Sequence, residues 1–226
     1  MASRYVLKFT KRGYAKYTSH LDLLRFFKRA FRKTGVTLRY SQGFNPHPKM
    51  SFAQPLSLGY SSGCEYLEFE TELFHGEKEL LDLLAPQMPE GMEIQWCKEL
   101  KADVKSLAGA ADSARYRVWI PFEMDEDLLK KKGEEYLAQE EIVTLKRQKK
   151  DKKMAPVDIK NMIRGFQTCS KEGQIVLDLH LDCGSISNCS PELVITSFCQ
   201  FTDIGVPRFK MEVERLSIEF VNNLQF

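Results

Sequence analysis

No stretch of the 226-residue chain approaches eighteen consecutive apolar residues, so no transmembrane helix and no membrane partner are expected. The opening MASRYVLKFT lacks the charged, apolar and small-residue order of a secretory signal, which makes a cytoplasmic location the default expectation. The six cysteines, Cys64, Cys97, Cys169, Cys183, Cys189 and Cys199, form no C-x-x-C pair. Cys183 and Cys189 are too far apart for a usual zinc knuckle. Histidine is scarce, at four residues, and unclustered. No metal site and no cofactor are therefore expected, and the thiols read as small buried hydrophobes. Internal sequence repeats are absent as well.

What is present is ordinary in sum and uneven in place. An apolar fraction of 43% and a charged fraction of 28% suit a soluble globular protein. The length allows one large domain or two of about 100 residues. The formal net charge is only +2, yet residues 1–50 carry twelve Lys/Arg and one acid, Asp22. Residues 51–100 carry two Lys/Arg and ten acids. Concentrating one sign costs self-repulsion, and such a patch commonly attracts an acidic partner. Tyr5, Phe9, Tyr14, Tyr17, Phe26, Tyr40 and Phe44 are interleaved with the cations. Cations for phosphates and rings for bases are the ingredients of single-stranded nucleic-acid binding. Packing in a core, and docking on an acidic protein surface, are the competing uses.

The densest stretch is Ser19 to Gly59. Ser19 and Asp22 form a Ser-x-x-Asp capping pattern. Leu23, Leu24, Phe27, Ala30 and Phe31 then recur at helical spacing, and Gly35 suits the helix end. Arg25, Lys28, Arg29, Arg32 and Lys33 fill the other face, which is either plain solvated surface or a binding face. In the loop Gln42-Gly43-Phe44-Asn45-Pro46-His47-Pro48-Lys49 two prolines restrict Asn45 and His47 to extended backbone, and Gly43 permits an unusual one. A stiff loop loses little entropy on binding; it could equally be a rigid connector. The candidate nucleic-acid-binding residues are Arg25, Lys28, Arg29, Arg32, Lys33, Arg39, Phe44, Asn45, His47 and Lys49. His20 and His47 are the candidates for general acid–base catalysis, against a structural role for both.

Along the chain, alternation predicts strands at 4–10, 36–41, 64–73, 91–100, 115–122, 141–148, 174–181 and 209–220, with an extended piece at 51–58. Helical spacing predicts helices at 19–33, 77–84, 125–139 and from Ser190-Pro191-Glu192 to about Phe201. Residues 156–168 are ambiguous, since Ile159, Met162, Ile163 and Phe166 also recur at helical spacing. Glu68, Glu70 and Glu72 read as an exposed, solubilising strand face rather than a metal site. The basic stretch 146–153 could join the N-terminal patch or form a charged hairpin tip. The predicted fold class is α+β: two tandem ferredoxin-like (split βαβ) units, residues 1–100 and 114–226, with helices on one face of antiparallel sheets. Residues 101–113 read as their connection. Paired units of this kind resemble the layout of CRISPR repeat-processing RNA endonucleases, a likeness of fold alone.

SHLDLLRFFKRAFRKTG, YSQGFNPHPK, SFAQPLSLG and EYLEFE together resemble the uncharacterised bacterial radical-SAM-linked protein family over residues 4–100. The matching positions run from Ser19, His20 and Asp22 through Gly43-Phe44-Asn45-Pro46-His47-Pro48 to Glu65, and Val157 to Ile163 matches a weaker feature. The resemblance implies a radical S-adenosylmethionine protein as genomic neighbour or fusion partner. This chain has no C-x3-C-x2-C run, so the radical chemistry would belong to that neighbour. The expected function is a non-catalytic RNA-binding or substrate-presenting accessory of that enzyme. The alternatives are a metal-independent endoribonuclease and a protein adaptor docking on the radical enzyme.

Overall fold

The computed structural model describes residues 3–100, 106–148 and 153–221. The chain is α+β and divides into two compact units: Met1–Ala111 with Glu219–Phe226, and Asp112–Ile218. No helix among the described residues is long and apolar enough to cross a membrane.

The first unit runs β1 (Ser3–Lys11), α1 (His20–Thr34), β2 (Met50–Phe52), β3 (Ser61–Thr71), α2 (Glu77–Leu84), β4 (Ile94–Glu99) and the short α3 (Leu107–Ala110). Its sheet has the order β4-β1-β3-β2, and every neighbouring pair is antiparallel. β1 is the central strand, with Leu7 opposite Leu67 on one side and Cys97 on the other. Its odd-numbered residues Tyr5, Leu7 and Phe9 are fully buried under both helices, in one cluster with Leu23, Phe27, Phe31, Leu80 and Leu84. Phe27 meets Phe9 edge-on at 5.2 Å, and Phe31 lies 4.7 Å from Phe69. Each such ring buried from water contributes about 1.5–3 kcal/mol. The Tyr5 hydroxyl donates to the His75 carbonyl and accepts from the His75 N–H, both at 2.8 Å, which fixes the entry to α2.

Two expectations fail in this unit. Residues 36–41 form no strand; only the isolated bridges Leu38↔Thr71 and Tyr40↔Pro48 occur. Val36 and Leu38 do alternate inward, but Tyr40 pairs across to Pro48, in the returning arm of its own loop, instead of extending along β3. The acidic face of β3 is also not a solvated one. Glu68 accepts from Arg4 at 2.6 Å and from the Leu107 N–H at 2.8 Å. Glu70 accepts from Lys49 at 3.0 Å and Arg39 at 3.2 Å.

The second unit runs β5 (Ala111–Ile120), α4 (Glu126–Ala138), β6 (Val143–Arg147), β7 (Met154–Asp158), β8 (Ile163–Lys171), β9 (Gln174–Asp182), α5 (Pro191–Thr202) and β10 (Glu212–Phe220). Strand order is β10-β5-β9-β8, antiparallel at β5–β9 and β9–β8, with β6–β7 as a separate hairpin. Both helices share one face, centred on Tyr136 of α4. Its ring lies within 5.7 Å of Phe166, Phe198 and Phe201, and its hydroxyl is 2.6 Å from Ser197 Oγ. Burial pushes that phenol up to about 12, so it stays protonated.

The ambiguous stretch 156–168 is not a helix: it is the end of β7, a single 3-10 turn and the start of β8. Its residues stitch the hairpin to α4. Asp158 accepts from the N–H groups of Ile142 and Lys160, both at 2.9 Å, and these bonds hold its carboxyl below the usual range. Ile159 is fully buried, and the Lys160 ammonium donates to the carbonyls of Leu137 and Gln139 at the end of α4. A cation there also faces the negative end of the helix dipole. Residues 101–105 of the expected connection, and 149–152 of the basic stretch, lie outside the described residues.

Three substitutions test this account by urea unfolding. Lys160→Met keeps the stem and removes the charge, and should lower stability by about 1–3 kcal/mol. Gly91 has φ 83°, and a Cβ there would stand 2.3 Å from the Arg12 carbonyl oxygen. Gly91→Ala should therefore cost about 2–4 kcal/mol, from strain plus displacement of backbone. Gly35, at φ 77° with open space around it, should lose only about 1–2 kcal/mol as Ala.

Candidate nucleic-acid interface

The helix that carries the cations is fixed from both ends. Ser19 Oγ accepts from the Asp22 N–H at 3.2 Å, and its hydroxyl donates to Asp22 Oδ2 at 2.7 Å. Gly35 closes the helix in the left-handed region, φ 77°. With Leu23, Phe27, Ala30 and Phe31 turned into the core, Lys28, Arg29, Arg32 and Lys33 must face solvent. These four make no ion pair among the described residues, and all are exposed. Arg25 differs: it sits 3.1 Å from Asp22, with both side chains more than half exposed. Ser19 first, and Arg25 second, lower the Asp22 pKa. An exposed pair of this kind is weak and leaves Arg25 available to an anion.

The loop that follows is closed at its neck. Ser41 N–H donates to the His47 carbonyl at 2.9 Å, and the His47 N–H donates to Ser41 Oγ at 3.1 Å. His47 Nδ1 lies 3.0 Å from the same hydroxyl. One step below, Tyr40 bridges Pro48 and the Lys49 N–H reaches the Arg39 carbonyl at 2.8 Å. Gly43 takes φ 123°, and Phe44 beside it stands wholly in solvent with Asn45 and Pro46.

Helix and loop meet in one groove of about 440 Å³. Lys28 and Arg32 line it with Tyr40, Pro46 and Pro48, while Phe31 and Val36 reach it from the core. Spacing of four residues places the two cations on the same helical face. Tyr40 is 47% exposed, so its ring is open to a ligand.

Apart from Arg25, paired with Asp22, the expected site residues separate into distinct groups. Lys28 and Arg32 line the groove; Phe44 and Asn45 are exposed at the loop tip without lining it, and His47 lines a separate recess with Glu68 and Glu70. Arg29 and Lys33 share the open helix face but do not line the groove. Arg39 and Lys49 are drawn to Glu70, which partly neutralises both. Tyr40 was missed as a site residue; its alternation with Leu38 marks an outward ring, but only the Pro48 bridge reveals what it faces. His20 stands edge-on to Phe52, 5.3 Å between ring centres, whereas His47 bonds Ser41. No ring contact or hydrogen bond joins the two imidazoles among the described residues.

Among the described residues no group of His, Cys, Asp or Glu is placed to hold a metal ion. Four cysteines are buried; burial pushes the thiols of Cys97 and Cys189 up to about 12. Cys199, half-buried, rises to about 11. Cys169 departs from the expectation, since it lies exposed on β8. Of the basic stretch, Lys146 donates to the Asn188 carbonyl at 3.2 Å, within its own unit.

A crystal structure of an unknown protein from Galdieria sulphuraria aligns with 98% of this chain and 99% of its own, at 9% identity and a TM-score of 0.26. No curated protein matches the sequence. Residues 4–191 match the model of the family described as uncharacterized protein conserved in bacteria (DUF2344), and the chain belongs to that family.

Proposed function

We propose that this protein is a non-catalytic RNA-binding accessory, and that its first unit holds single-stranded RNA in the groove between α1 and the loop 41–47. The observation that carries this reading is the meeting of Lys28 and Arg32, without acidic partners among the described residues, with the exposed ring of Tyr40 in one groove. Phosphates would lie along Lys28, Arg32 and the neighbouring Arg29 and Lys33. A base would stack on Tyr40 or on Phe44, whose ring needs no rearrangement to be reached. The closed loop neck supports the same reading, because a preorganised loop gives up little freedom on binding.

The strand orders β4-β1-β3-β2 and β10-β5-β9-β8 each read, in order of appearance, as 4-1-3-2 with two helices on one face. We take them as two ferredoxin-like units in tandem. The partner we propose is a radical S-adenosylmethionine enzyme, on the strength of the sequence resemblance, with this chain presenting RNA to it.

The test is fluorescence anisotropy with a labelled single-stranded RNA dodecamer. Affinity should fall steeply with salt, with a log–log slope of about −3, as expected for four phosphate contacts. Lys28→Ala/Arg32→Ala should make that slope shallower by about 1.4 and weaken binding across sequences alike. Phe44→Ala should weaken binding roughly 5- to 100-fold without changing the slope, the range for one stacked base. Binding that is flat with salt, or indifferent to the double variant, refutes the reading.

A further inference from the structure

The second unit has its own feature, on the sheet face away from α4 and α5. Along β5, Val118 and Ile120 are fully buried under the helices, so Trp119 between them points to the opposite face. Its cross-strand partner there is Val176, which in turn pairs Cys169. The turn after β8 is the pair Glu172-Gly173, both with positive φ, 51° and 73°. That two-residue hairpin turn sets Lys171 directly opposite Gln174. A left-handed glutamate is uncommon, and here it fixes the flank of a cavity.

The cavity holds about 470 Å³, within the size range of small-ligand sites. Trp119 and Val176 line it with Gln174, Lys171 and Lys210. Neither lysine has an ion-pair partner among the described residues. Two carboxylates, Glu172 and Glu212, also line it, so the cavity carries no large net positive charge.

The geometry points to a nucleotide-binding site: a base stacked on Trp119, its edge read by the Gln174 amide, and a single phosphate between Lys171 and Lys210. An indole face and an apolar valine suit a flat aromatic ring. The glutamates can accept from base amino groups or ribose hydroxyls. Two cations balanced by two anions disfavour a triphosphate and suit a ligand with a single phosphate per base. That chemistry belongs both to a nucleoside monophosphate and to one link of an RNA strand. The site stands independently of the groove on α1.

The chain has two tryptophans, so Trp96→Phe leaves Trp119 as sole reporter. Adenosine monophosphate and an oligoadenylate octamer are titrated against this variant by indole fluorescence. Both should quench Trp119 saturably. A tighter octamer identifies a strand site, and equal affinities identify a free-nucleotide site. Lys171→Ala/Lys210→Ala should weaken the quench about tenfold, with a salt slope no steeper than −2, for one or two phosphate contacts. Lys28→Ala/Arg32→Ala should leave the monophosphate quench intact, even if it abolishes the anisotropy signal of the groove. No saturable quench by either probe at millimolar concentration overturns the proposal. So does a quench that survives Lys171→Ala/Lys210→Ala and disappears with Lys28→Ala/Arg32→Ala.

Discussion

The packing of Phe27 and Phe31 against Phe9 and Phe69 is the constraint from which the first unit follows. Two rings four residues apart demand one helical face for the core, and the rotation of α1 is then settled. Every cation at the remaining positions must point away from the sheet, whatever its own preference. Lys28 and Arg32 face the 36–48 segment for this reason, and not because any acidic group draws them there. The positive surface is thus a by-product of apolar packing that persists because the described chain offers those side chains no counter-ion.

Acidic residues act selectively around that surface. Glu70 gathers Arg39 and Lys49 at the base of the loop, where backbone pairing already brings the three together. Glu68 takes Arg4 and anchors Leu107. The strong charge contrast between residues 1–50 and 51–100 is therefore partly internal: some of it is used across strand neighbours. What is left uncompensated is concentrated on one helix.

Periodicity was a good guide wherever an element buries one face along its whole length. The α2 boundaries at Glu77 and Leu84 are those of its apolar spacing, and Ser19 and Ser190 each cap the helix their side chains suggested, while Asp125, expected as the first helical residue, caps α4 instead. It failed where short apolar alternation was interrupted. Val36 and Leu38 are inward as expected, yet an isolated bridge is all that the returning chain allows. Ile159 and Phe166 sit at helical spacing by coincidence: one is buried below a 3-10 turn and the other on β8, against Tyr136. The groove was legible as ingredients, a basic helix and a stiff loop, while its wall at Tyr40 depends on the bridge to Pro48 across that loop, which spacing does not encode. Trp119 gave no sequence signal beyond alternation, because its neighbours Lys171 and Lys210 are brought near only by the sheet.

The neck of the loop at Ser41 and His47 has a consequence for how this surface can change over time. Its closing bonds use backbone groups, one hydroxyl and one imidazole; the tip contributes only the Asn45 carbonyl, 3.4 Å from His47 Nδ1, and no side chain of residues 43–45 takes part. The neck therefore closes without any side chain of its own tip. A different side chain at position 44 would leave the architecture standing and alter only what the molecule can grasp, so selection there acts through recognition alone.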